Sequence, residues 1–254
     1  MGNETDLTRA DLIKLIATSS KPLNLKGVNL NGLDLKFLDL SGADLRDAVL
    51  TGISLYGANL NGANLKGADL SVSDLINIDL SSANLQGSNI YGSSLRGANL
   101  TGAILTDSNL SKAGLVNLNL SKINMTRANL AEADLRNANL TYAELCDTNL
   151  IEADLENAIL NNSNLQNADL TGAYLKGSNL KIANLSYADL IDSNLVGADL
   201  SVAILIGANL SGADLSNSIL RNVDLTNADL TEAVLLNADL TGAILKNVKG
   251  LKFP

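Results

Sequence analysis

Surface chemistry needs groups that attack, ligate or carry protons, and this 254-residue chain offers few of them. It has no histidine, so no Ser-His-Asp triad, Cys-His pair or histidine metal site can be assembled. The one cysteine, Cys146, is followed by Asp147 and has no basic neighbour in sequence, which predicts an exposed, inert thiol. A single cysteine forms no internal disulfide and suits a reducing compartment. Carboxylates are what remain: 27 Asp and Glu against 18 Lys and Arg, a net charge of −9. That balance argues against a nucleic-acid ligand, because phosphate binding needs clustered cations. No apolar run is long enough for a membrane-spanning helix. The acidic start, MGNETDLTRADL, lacks the marks of a secretory signal, and Asp6 stands where a myristoylation motif wants Ser or Thr. The expectation is a cytoplasmic, non-enzymatic protein that takes no cofactor and has neither nucleic-acid nor membrane partners.

The carboxylates are positioned by a repeat. From Leu25 to Leu245 every fifth residue is apolar, and 43 of the 45 are Leu, with Ile90 and Met125 the exceptions. Two residues earlier the side chain is small, with 27 Ala and 8 Ser. Between them stands a polar residue, Asn in 18 units and Asp in 15. Small-in, polar-out, Leu-in is a three-residue strand. Two residues after each Leu comes Gly in 17 units or Asn in 11, the residues that accept the positive φ of a type II turn. A helix would scatter leucines five apart around its whole surface. A chain that bends in one sense every five residues must coil instead, stacking strands in parallel ladders about 4.8 Å apart. The repeat alone fixes neither the corners per coil nor the hand.

The segments ANLNGANLKGADL, ANLAEADLRNANL and ADLSNSILRNVDL resemble the A(D/N)Lxx motif of pentapeptide repeat proteins, and most of all their cyanobacterial members. The resemblance implies an all-β fold, a right-handed quadrilateral parallel β-helix with four units per coil and about eleven coils. The organisation expected is a cap with a helix over 1–22, the β-helix over 23–247 and a tail over 248–254. Four units per coil would also stack Asp134 near Asp154 and Asp169 near Asp189. Each pair could hold a cation or a proton, although free exchange of Asp with Asn in that slot favours a structural role.

Three stretches depart from the pattern. Leu23, Val28, Leu33 and Leu38 fill the small slot of the first coil and call for a lid. Thr8 with Asp11 makes a capping box for a helix over roughly 8–18, with Leu12, Leu15 and Ile16 on one face, and Pro22 marks its end. Between 107 and 167 Asp, Lys, Asn, Arg, Glu or Tyr replaces the corner glycine, so a different turn type is expected there. Leu118 and Ile123 in the small slot predict a local widening. At the C-terminal end apolar residues take outward positions. Ile204, Val234, Leu236 and Ile244, with Leu251 and Phe253 of the tail, form the candidate interaction surface. Either the tail plugs the last coil, or two chains pair as a homodimer through the C-terminal coils; Lys246, Lys249 and Lys252 would guard the open edge.

The leading expectation for function is a protein-binding solenoid with an unnamed protein partner. The alternative is drawn from the resemblance: some pentapeptide repeat proteins are acidic, dimeric rods that mimic duplex DNA on type II topoisomerases such as gyrase.

Overall fold

A computed structural model describes residues 7–19 and 22–251. From Asn24 onward, isolated parallel bridges join residue i to residue i+20, from Asn24–Asp44 to Asp229–Lys249. Twenty residues therefore make one coil, and four five-residue units make its four sides. The 45 corners give a little over eleven coils. We number the faces by their outward residues: the first carries Asn24 and Asp44, the second Asn29 and Val49, the third Asp34 and Ser54, the fourth Asp39 and Asn59.

Five residues suffice because a unit with an outward Asp or Asn satisfies all its backbone donors, as a buried wall favours. In the unit around Asp44, the Asp44 amide donates to Leu23 O of the preceding coil at 2.8 Å, and Leu45 donates to Asn64 O of the next coil at 2.8 Å. The second corner residue, Asp47, donates to Lys66 O at 3.0 Å, and Ala48 closes the turn onto Leu45 O at 3.1 Å. The remaining donor, Arg46 N, is capped by the Asp44 carboxylate at 3.3 Å. That last bond recurs along the rod, for example Ser71 to Asp69 and Thr226 to Asp224. It gives the outward Asp or Asn a structural reason, an Asx turn. Asparagines add ladders between coils, Asn89 donating to Asp69 at 3.1 Å and Asn109 to Asn89 at 3.0 Å.

The turn type does not change between 107 and 167. All 45 corner residues adopt φ between 53° and 74°, and 28 of them are not glycine. The ladder bonds on both sides of each corner hold the chain there, so residue preference is overridden. The strain is greatest where the side chain is β-branched, at Val72, Ile182 and Val202. Glycine is needed where a neighbouring side chain leans over the corner. A Cβ on Gly207 would lie 2.7 Å from the Tyr187 ring.

The leucine column fills the interior and is almost wholly buried from Leu25 to Leu230. One ladder is interrupted. Among the described residues no bridge joins Asn99 to Asn119, beside the bulkier Leu118 and Ile123, both buried in small slots. The ladder is loosened on the fourth face, and the Asn124 amide on the adjoining first face also lacks its usual bond to Ala103 O.

The first coil is closed by helix α1, Arg9–Thr18, whose N-cap Thr8 and Asp11 form the capping box. Leu12 is fully buried, and Leu7 and Ile16, like Leu23, Val28, Leu33 and Leu38 of the first coil, are partly buried against the core. Leu15 does not join them; it is 40% exposed, because so short a helix lays only a narrow stripe on the coil. The Arg9 guanidinium pins the lid by donating to the carbonyls of Asp34 and Lys36. At the other end Leu235, Leu240 and Leu245 are only half-buried. Gly250, at φ 77°, turns the chain over this coil so closely that a Cβ would lie 2.3 Å from Thr231 N. Leu251 then packs partly buried against the core.

Candidate functional site

The walls are flat. Two recesses lie at the ends, one lined by Ile16, Pro22, Leu23 and Leu40, the other by Glu232, Leu235, Gly250 and Leu251. The stacked carboxylates expected from the sequence are in register, Asp134 on Asp154 and Asp169 on Asp189. At the first pair Arg136 supplies the cation, 2.6 Å from Asp134 and 3.4 Å from Asp154. The hydrogen bonds of that guanidinium hold the Asp134 carboxyl below the usual carboxylate range. At the second pair the Asp169 carboxylate is engaged by the Thr171 amide and hydroxyl. No group of three metal-ligating residues occurs among the described residues. Burial, then the nearby Glu144 and Asp147 carboxylates, pushes the Cys146 thiol up from its ordinary value, which keeps it protonated and unreactive.

The coil register sorts outward side chains in a way that linear spacing does not reveal. The edge between the second and third faces carries Glu132, Glu152, Asp192 and Glu232, against Lys112. Asp169, Asp189 and Asp229 flank it on the second face, and Asp134, Asp154 and Asp214 on the third. Lys112 pairs with Glu132 at 3.2 Å and Lys249 with Asp229 at 3.7 Å. Glu152, Asp169, Asp189, Asp192, Asp214 and Glu232 form no ion pair among the described residues. The diagonally opposite edge, between the fourth and first faces, carries Lys122, Lys181 and Arg221 at its corners and no acid.

The candidate apolar residues do not gather on one side. Ile204 and Ile244 share the first face, two coils apart; Val234 lies on the third; Leu236 is 64% exposed on the edge between third and fourth. Leu251 lies over the last coil, and Phe253 falls outside the described residues. What the sequence did not single out is that the six exposed isoleucines of the rod, Ile104, Ile159, Ile182, Ile204, Ile219 and Ile244, all lie on the fourth face, the first face or the edge between them. The signal was present in position modulo twenty, which needs the four-sided coil before it can be read.

A four-sided parallel solenoid with Leu inward and Asx-capped corners defines a class of repeat protein, the right-handed quadrilateral β-helix. The sequence profile of one family, Pentapeptide repeats, matches in eight copies between residues 24 and 247. The chain belongs to that family. HetL, a pentapeptide repeat protein involved in heterocyst differentiation regulation from the cyanobacterium Nostoc sp. strain PCC 7120, is 32% identical over 95% of this chain and 98% of its own, with a TM-score of 0.47. Rfr23, from the cyanobacterium Cyanothece 51142, is 39% identical over 38% of this chain and 63% of its own, TM-score 0.26. QnrB1, a plasmid-mediated fluoroquinolone resistance protein, is 22% identical over 77% of this chain and 88% of its own, TM-score 0.38. No curated protein matches the chain.

Proposed function

We propose that this chain is a cytoplasmic, non-catalytic protein-binding rod, and that its second–third edge is the face that docks on a cationic protein surface. The carrying observation is the set of six unpaired carboxylates on that edge and its flanking faces, Glu152, Asp192 and Glu232 at the corners and Asp169, Asp189 and Asp214 beside them. A rigid wall presents them with little loss of backbone conformational freedom on binding, which favours affinity, and their field steers a cationic partner to the rod. Affinity capture from a lysate of the source organism tests it. The expected result is a partner retained at low salt and lost to a Glu152→Gln, Asp192→Asn, Glu232→Gln triple variant. A partner retained equally by the triple variant, or none under any condition, would contradict the docking face.

One observation favours a second reading, a DNA-mimicking modulator of a type II topoisomerase. Between Glu132 and Glu232 ten carboxylates lie on the edge and its flanking faces. Spread over about 24 Å of rod, their density is of the order of one charge per about 1.7 Å in duplex DNA. A gyrase supercoiling assay checks it. Inhibition or protection by the native rod and not by the triple variant is expected; no effect at micromolar protein retires the topoisomerase as partner.

A further inference from the structure

We propose that the fourth–first edge is a self-association surface, on which a second copy of this chain lies side by side and antiparallel. Three observations converge. The six exposed isoleucines of the rod are confined to this side, and Tyr142 and Val202 at the corners, 53% and 50% exposed, extend the strip. An outward isoleucine has no acceptor for the corner amide that Asp or Asn would cap, so Ile204, Ile219 and Ile244 each forgo a bond that the repeat supplies elsewhere. Ile182 and Val202 stack on adjacent coils at φ 59° and 62°, a conformation costly for β-branched residues and held at corners where Asn is common. Neither choice helps the isolated rod fold.

Charge selects the occupant. The corners of the fourth–first edge carry no acid, whereas those of the opposite edge carry Glu132, Glu152, Asp192 and Glu232, so contact through the fourth–first edge is the arrangement that holds the acidic edges of two copies farthest apart. Two cations of the strip are already matched within the chain: Lys181 pairs with Asp199 at 2.9 Å, and Arg221 pairs with Asp239. A two-fold axis passing between the coils of Ile182 and Val202 sets each against the other, brings Tyr142 to the level of Ile244, and lays Lys181 toward the partner's Asp199. A parallel pairing would oppose lysine to lysine. Self-complementarity of this kind is what a two-fold dimer requires.

Sedimentation velocity from micromolar to near-millimolar protein tests it. The expected result is a reversible monomer–dimer equilibrium. Val202→Glu and Ile204→Glu should weaken it at least about tenfold, while Leu236→Glu leaves it unchanged. Folding is separated from assembly by the Ile182→Asn, Val202→Asn double variant: asparagine tolerates the corner, so thermal stability should hold or rise while the dimer is lost. A monomer at every concentration would overturn the proposal. So would a dimer abolished by Leu236→Glu and kept by the double variant, which would place the contact at the C-terminal end. A rod that stays monomeric and co-sediments with phosphatidylserine vesicles would assign the strip to lipid and overturn it equally.

Discussion

Asp44 and Asp239 show how the repeat tunes single residues. The Arg46 hydrogen bond holds the Asp44 carboxyl down at about 2. The Thr241 hydroxyl, and then Arg221, does the same for Asp239, also at about 2. Both groups ordinarily titrate at 3.8. What they lend to stability is therefore fully present above that value and is lost as pH falls toward 2. Thermal melts across this window should drop, and the drop should shrink in an Arg46→Gln, Arg221→Gln variant. At Cys146 the raised thiol predicts alkylation by iodoacetamide at pH 8 slower than for a free cysteine, read by mass spectrometry; a rate equal to or above that of free cysteine would contradict the burial. Glycine matters at few corners. Gly207→Ala strains a φ of 66° and crowds Tyr187, and should cost about 1 kcal/mol by denaturant melts. The sequence marks glycine as the corner residue and so predicts a change of turn where glycine is missing. The structure keeps one turn throughout, because a corner's φ is set by ladder bonds to the coils above and below, and those are invisible in a five-residue window.

At the scale of elements, the lid and the widened wall carry separate consequences. Thr8 is the N-cap of α1, so Thr8→Ala should destabilise the lid by about 1 kcal/mol. Leu12→Ala should destabilise it by about 2–5 kcal/mol, with hydrogen exchange rising first at the amides of Leu25 to Leu40. The capping box and the buried Leu12 were legible in the sequence, since both rest on spacing within one helical turn. The exposure of Leu15 was not, because it depends on how a ten-residue helix lies across a coil whose width is a tertiary property. Leu118 and Ile123 signalled the interruption on the fourth face correctly, as volume in a slot reserved for alanine. Replacing both by Ala should let the strands close and slow exchange at the amides of Leu100 and Asn119; unchanged exchange at those two amides would mean that another cause holds the ladder apart.

For the whole molecule, stability is a sum over coils and their neighbours, so damage in mid-rod has no local escape. Ala138 is fully buried between leucine columns, and Ala138→Phe should destabilise the rod by roughly 1–3 kcal/mol or more. The same stacking creates the two edges. A period of five tells which residues face outward, and that much is plain in the sequence. Which of them share an edge depends on four units to a coil, which the repeat by itself leaves open; the acidic edge and the isoleucine strip emerge only when residues twenty apart are placed one above another. Both edges therefore stand on that register. The direct measurement is a spin-label distance in a Cys146→Ser background with Glu152→Cys and Glu232→Cys. These corners lie four coils apart on one edge, so the labels should read about 19 Å. A distance beyond about 30 Å would contradict a ladder spacing of about 4.8 Å with twenty residues per coil, and with it both edges.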